Sequence, residues 1–209
     1  FCAAGHIYLP IRHRTVDDVL RDARSFTGKA KRIGLVGASV SDHRHLREIM
    51  RGIIDMGFGL TTSSFRADML DDDLASLLVR GGLKTVTIAP EAGTERMRRI
   101  VNKHLGEQDI LAAALASARA GISSLRLYYM VGLPLERATD IEGIVTLTQH
   151  SSDIYSASGR RITVSVNPFI PKPQTPFQWC AMADERYLAD VYGTLERSFR
   201  TMKGVTLKT

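Results

Sequence analysis

Ser124-Leu125-Arg126-Leu127-Tyr128-Tyr129-Met130-Val131, followed by Gly132-Leu133-Pro134, is the stretch on which the fold turns. It reads as the longest strand of the chain, broken by a glycine and a proline. Before it, Asp109 to Ala120 reads as a helix with Gly121 as its stop. After it, Thr139-Asp140-Ile141-Glu142 has the form of a capping box, opening a helix that runs to about Tyr155. Helix, strand and helix in that order imply a parallel sheet with right-handed crossovers.

The same alternation extends outward in both directions. Upstream, Thr15 caps a helix whose apolar stripe is Val19, Leu20 and Ala23. Arg32 to Val36 is a short buried strand. Asp42 starts a helix in which Leu46, Ile49, Met50, Ile53 and Ile54 fall on one face, and Gly57 stops it. Phe58 to Thr62 is the next strand, and Asp71 or a neighbour caps the helix after it. Lys84 to Ala89, rich in Thr, Val and Ile, is a strand, with Pro90-Glu91-Ala92-Gly93 as its turn and Thr94 to Val101 as a short helix. Downstream, Arg161 to Val166 is a strand. The prolines of Asn167-Pro168-Phe169-Ile170-Pro171-Lys172-Pro173 exclude helix or central strand there. Asp184 to Met202 is a final amphipathic helix, and Val205 to Leu207 opens a further strand. Eight β/α units need about 250 residues, so this length suits five or six. The expected fold is α/β: a partial barrel or an open doubly wound sheet, with ligands at the carboxyl ends of the strands.

Composition narrows the class. The chain has 209 residues, 44% of them hydrophobic, which is enough for one domain with a full core. No apolar run reaches the length of a membrane span. The net charge is +6, which favours polyanions such as RNA or anionic small molecules. The basic clusters are short (Lys29-Ala30-Lys31-Arg32, Arg96 to Arg99, Arg160-Arg161), and a solvated basic surface is the plainer expectation. The two cysteines, Cys2 and Cys180, do not make a secreted disulfide scaffold, so a cytoplasmic protein is expected. CxxC pairs, HExxH and GxxxxGK[ST] are absent from the sequence, removing common zinc and P-loop readings. His6, His13, His43 and His45 fit no common metal spacing and are read as structural or surface residues.

The residues that follow each strand form a polar rim: Gly37-Ala38-Ser39, Ser63-Ser64 with Arg66, Pro90 to Thr94, Gly132-Leu133-Pro134, and Asn167-Pro168-Phe169. Small and polar groups converging there suit a small-molecule site. Glu91 either binds a ribose hydroxyl or an ammonium group, or compensates the dipole of the following helix. The Gly93-Thr94 helix start offers free backbone N–H groups to an anion. From the residues alone, capping and surface roles are the plainer reading for Ser63, Ser64 and Arg66. Tyr128 and Tyr129 face opposite sides of their strand. Cys180 is read as structural. Cys2 follows an aromatic residue, where a first barrel strand would end, and precedes a flexible Ala3-Ala4-Gly5 loop.

These segments resemble a known family. Phe1-Cys2-Ala3-Ala4-Gly5 resembles the tail of the CxxxCxΦC motif of radical S-adenosylmethionine (SAM) enzymes, with Phe1 as Φ. Thr85 to Arg96 is similar to the TIAPEAGSER segment of a subgroup that often carries an upstream cobalamin-binding domain and is related to methylthiotransferases. Leu127 to Pro134 looks like its fifth-strand glycine motif. Asn167 to Pro173, with Thr175 to Trp179, looks like its sixth-strand segment. The resemblance covers nearly the whole chain.

The resemblance implies a partial (β/α)6 barrel, its first strand largely missing, with residues 1–209 as a fragment of a radical SAM core domain. It implies a [4Fe–4S] cluster on three cysteines with an open iron for SAM, reductive cleavage to a 5′-deoxyadenosyl radical, and an electron donor such as a flavodoxin or ferredoxin. Cys2 would be the third cluster ligand, and Phe1 would pack beside the adenine. Gly37, Ala38 and Ser39 would stand where the family contacts the SAM amino group, although Ala38 and Ser39 replace the family's Gly and Glu. Glu91 would bind the ribose. Ser64, Arg66 and Lys103 would serve the carboxylate end. Gly132, Asn167 and Phe169 would border the adenine. With two of three cluster cysteines absent, these 209 residues alone are expected to be inactive.

Two other readings compete. One is a non-catalytic β/α scaffold that binds RNA or a protein through its basic surface. The other is an ordinary barrel enzyme with Glu91 as general base, which predicts activity without iron or SAM. Substrate, oligomeric state and cobalamin binding, through a domain outside these residues, are not legible.

Overall fold

A computed structural model describes residues 1–156 and 159–209. The helices are α1 (Ala4–Ile7), α2 (Val16–Arg24), α3 (Leu46–Asp55), α4 (Asp72–Arg80), α5 (Glu95–Ile100), α6 (Glu107–Ala120), α7 (Ala138–Ser156) and α8 (Glu185–Arg200). The strands are β1 (Arg32–Leu35), β2 (Gly59–Thr62), β3 (Thr85–Glu91), β4 (Ser124–Val131), β5 (Arg161–Pro168) and β6 (Val205–Lys208). All ladders are parallel, in the orders β1-β2 and β3-β4-β5-β6. A bridge between Phe65 and Ile88 joins the two sheets, with the Phe65 N–H donating to Thr87 O at 2.9 Å. The result is the expected parallel α/β architecture, compatible with a partial barrel.

Alternation along the strands sets the layers. On β4 the buried residues are Leu125, Leu127, Tyr129 and Val131, which pack with Ile144 and Leu147 of α7 in the main core. Ser124, Arg126, Tyr128 and Met130 face the other way and are half-buried. Tyr128 and Tyr129 are on opposite faces, as expected. Burial drives the Tyr129 hydroxyl far above its ordinary pKa. Among the described residues, no helix is long and apolar enough to cross a membrane.

Several local expectations need correction. Residues Ala4–Ile7 form a helical turn rather than a flexible loop. Asp42 ends a 3-10 turn, Val40–Asp42, and α3 begins only at Leu46. Val36 lies outside β1 and is 94% exposed. Pro90 and Glu91 belong to β3, because a register shift between Ile88 and Glu91 accommodates a residue with no N–H. The helix expected to open at Thr139 starts at Ala138, and Asp140 reaches back to accept the Arg137 N–H at 2.8 Å. Asn167 and Pro168 complete β5, pairing with Met130 and Val131. Proline is tolerated there because β6 pairs only with Ile162 to Ser165, leaving the last residues of β5 an open side. Thr15, Asp71, Thr94 and Asp184 do cap their helices through side-chain oxygens.

Candidate functional site

The strand carboxyl ends carry two groups of expected site residues. The first lies beyond β3, β4 and β5. Ala92, Met97, Val101, Leu133 and Phe169 form a small apolar cluster, against which Phe1, Ile100, Met130 and Phe177 pack. Phe169 and Phe177 meet edge-to-face with centroids 5.7 Å apart. Phe1 is thereby docked at this rim. Cys2, next in the chain, is exposed and carries a free thiol.

Glu91 is the polar centre of this group. Its φ of 72° is in the left-handed region, unusual for a residue with a side chain. The bulge in β3 imposes that turn. Lys103 Nζ donates to Glu91 Oε1 at 3.1 Å, with the two side chains 24% and 14% exposed. Burial pushes the Glu91 carboxyl up from its ordinary pKa, and Lys103 opposes the rise. The carboxylate is thus poised at the rim, paired among the described residues through Oε1.

The loop that carries Glu91 is fixed from below. Arg98, 1% exposed, donates from Nε to Leu105 O at 2.8 Å and from one terminal nitrogen to Ala92 O at 3.0 Å and Gly93 O at 3.2 Å. Desolvation lowers its pKa, yet a guanidinium stays charged. Arg96 and Thr94 both donate to the buried carboxylate of Asp140, which also holds the Arg137 N–H. Burial alone would raise the pKa of Asp140; these donors hold it below the ordinary value. Gly93 touches the first turns of α7 so closely that a Cβ there would lie 2.2 Å from Ile144 N and 2.3 Å from Asp140 O.

Arg96 to Arg99, expected as a solvated basic cluster, is therefore mainly a fastening. Sequence reasoning missed Arg98 and Asp140. Asp140 falls inside the capping-box pattern Thr139 to Glu142, in which Thr139 and Glu142 are the capping side chains and its own carboxylate has no role. Thr94 spends its hydroxyl on Asp140 and its side-chain oxygen on the Met97 N–H at 3.2 Å.

The second group lies beyond β1 and β2. Gly37, Ala38, Ser39 and Ser64 are exposed. Ser39 Oγ stands 3.4 Å from Ser41 Oγ, which accepts the Arg66 N–H at 3.2 Å. The Arg66 guanidinium forks onto Asp68 at 3.1 and 2.7 Å and lies 3.6 Å from Asp42, so its charge is already matched.

The remaining residues are less open. Gly132, φ 75°, would meet Ala183 Cβ at 2.7 Å if it carried a side chain, so the segment before α8 covers it. Its N–H donates to Glu136 Oε2 at 2.7 Å, and Tyr187 O–H donates to the same oxygen at 2.7 Å. Asn167 is exposed beside Met130.

Donor chemistry decides what metal group fits. Among the described residues no three His, Cys, Asp or Glu side chains are grouped to hold a metal ion. His43 uses both ring nitrogens locally: Nδ1 accepts the His45 N–H at 3.1 Å, which leaves Nε2 to donate to Arg14 O at 3.0 Å. A cluster on three thiolates does not fit the residues present, since Cys2 is one donor and Cys180, half-buried on the loop before α8, is the only other cysteine.

Comparison with known proteins supplies the context. The family described as the radical SAM superfamily matches residues 1–148. An uncharacterised protein of Methanocaldococcus jannaschii is 39% identical over 180 residues, covering 85% of this chain and 39% of that protein. Among solved structures, coproporphyrinogen III oxidase (HemN) of Escherichia coli, a radical SAM enzyme, is similar with a TM-score of 0.59 and 13% identity, over 88% of this chain and 44% of that one. HydG, a maturase of the [FeFe]-hydrogenase, gives a TM-score of 0.56 at 14% identity over 95% and 46%. SuiB of Streptococcus suis gives 0.60 at 9% over 96% and 44%. The chain thus spans less than half the length of each of these relatives.

Proposed function

This chain belongs to the radical SAM superfamily, and from that premise we propose that it is the core of an enzyme that cleaves SAM reductively to a 5′-deoxyadenosyl radical. Residues 1–209 act as a core domain whose cluster takes Cys2 and two thiolates from outside these residues. Family members supply the electron from a [4Fe–4S] cluster, fed by a reductant; here that donor is a flavodoxin or ferredoxin.

The observation that carries the reading is the rim beyond β3 to β5. Phe1–Cys2, the Glu91–Lys103 pair and the Phe169 cluster meet there. An apolar wall beside a buried carboxylate is what a nucleoside needs: a face to stack on and an acceptor for ribose hydroxyls. In this reading Phe1 packs beside the adenine, with Gly132, Asn167 and the backbone of the buried Phe169 at its border. Glu91 accepts from the ribose, and Lys103 turns toward the SAM carboxylate, with Ser64 and Arg66 further along the same end. Gly37, Ala38 and Ser39 meet the amino group through backbone carbonyls and the Ser39 hydroxyl. The walls exclude water from the radical. RNA as substrate, and cobalamin on a separate domain, fit the kinship and the net charge but have no residue here that speaks for them.

The test is anaerobic cluster reconstitution of the full-length protein, followed by assay of SAM-dependent 5′-deoxyadenosine. We expect iron–sulfur absorbance and product, both lost in Cys2→Ala. A full-length protein that shows neither would sink the proposal and leave a non-catalytic scaffold as the reading.

A further inference from the structure

We propose that Arg126, on the inner face of the sheet, binds the anionic end of a small-molecule substrate, a carboxylate or a phosphate. This rests on the SAM-cleaving reading, since it places a substrate on the same inner face. Arg126 is the third residue of β4 and points away from the helices, as its half-buried neighbours Ser124 and Tyr128 do. In register beside it are Thr87 on β3 and Thr163 on β5, then Thr206 on β6. Residues paired across a parallel ladder share a face. The next rung toward the mouth is Tyr128, Ser165 and Lys208.

Among the described residues Arg126 has no counter-charge: no carboxylate pairs with it, and its Nε is buried with no hydrogen-bond partner. The other rung members are hydroxyls and a second cation. An unsatisfied buried donor calls for an explanation. A guanidinium among hydroxyls is the donor set that recognises a planar or tetrahedral oxyanion. The contrast within this chain is sharp: Arg66 and Arg96 have carboxylate partners, and Arg98 has three carbonyl bonds.

Position separates this site from the rim. Arg126 lies four residues before Met130, roughly 13 Å along the strand at about 3.3 Å per residue. A compact molecule held there by its anion would present its far end to the mouth. That favours a small acid or phosphate ester over a polymer, whose backbone would stay outside the sheet.

The test uses the full-length protein, with inorganic phosphate and succinate as probes in titration calorimetry and thermal melts. Wild type should bind one or both saturably, which tells phosphate from carboxylate. Arg126→Gln should lose at least about ten-fold in affinity, Arg126→Lys should lose less, and Arg186→Gln on exposed α8 should bind as wild type does. Without anion, Arg126→Gln should melt at the wild-type temperature or above it, because a side chain with an unsatisfied buried donor has been removed. Equal binding by wild type and Arg126→Gln overturns the proposal. So does an absence of binding by wild type, as when another part of the protein supplies the counter-charge. RNA binding that depends on Arg126 without a response to either free anion also overturns it. Formation of 5′-deoxyadenosine by wild type is scored separately, so failure of the anion site and failure of the SAM reading are distinguishable.

Discussion

Glu91 shows how one residue can be tuned by two opposing forces. Burial raises its pKa and Lys103 pulls it back. If Glu91 accepts from the ribose it must be ionised, so SAM affinity should fall as pH drops through its raised pKa. Lys103→Met removes the opposing charge and should move that acid limb to higher pH, read as the SAM dissociation constant against pH. Glu91→Gln should weaken SAM binding by about ten-fold, the scale of one charged hydrogen bond, and flatten the limb. Asp140 has the opposite sign. Its pKa lies below the ordinary value, so its contribution to stability is present above the unfolded carboxylate pKa and is lost as pH falls through the folded one. Asp140→Asn should cost about 3 kcal/mol at pH 7, as loss of a buried ion-pair partner does. The deficit should shrink in denaturant titrations at pH 3.

At the scale of elements, the decisive contact is the loop after β3 against the start of α7. Gly93 and Gly143 meet backbone to backbone, and a Cβ added to Gly143 would lie 2.9 Å from Gly93 C. Gly93→Ala should destabilise the protein by about 3 kcal/mol, seen as a lower denaturation midpoint, with SAM affinity falling too because Glu91 moves. Legibility in the sequence divides along the same line. Strands β4 and β6, the helix caps and the α/β order follow from local pattern and turn chemistry. The bulge that carries Pro90 and Glu91 inside β3 does not, because a proline ordinarily signals the end of a strand. Nor does the role of Arg98, whose partners are backbone carbonyls fixed only by the fold. The rim residues Phe1, Glu91, Lys103 and Phe169 were nameable through resemblance to a family, whereas their meeting is a property of packing. Arg126 was silent in the sequence: a charge in a strand acquires meaning only when its neighbours across the ladders are known.

For the whole molecule, the question is what the 209 residues can do by themselves. Two cysteines, one of them on the loop before α8, are too few thiolates for a cluster. The isolated chain should therefore yield no 5′-deoxyadenosine after reconstitution, while the full-length protein does. Substantial product from the chain alone would show that the cluster is held in another way. The basic surplus looks different once pairing is considered. Arg32 donates to Leu60 O and Gly82 O, Arg47 spans Asp71 and Asp73, and Arg160 donates to Ala118 O. Much of the positive charge braces the scaffold, which weakens composition as a guide to a polyanionic partner.

The seam between Thr94 and Asp140 has a consequence in time. The two are 46 residues apart in the chain, and α5, α6 and β4 lie between them. A chain emerging from the ribosome has made Glu91, Arg98 and Lys103 well before it has made Asp140, the distant half of the lock on that loop. The seam at β3 is thus completed only once the start of α7 has been made. Translation arrested before Asp140 would release a chain whose Glu91 loop has the bonds of Arg98 and Lys103 but lacks its anchor on α7.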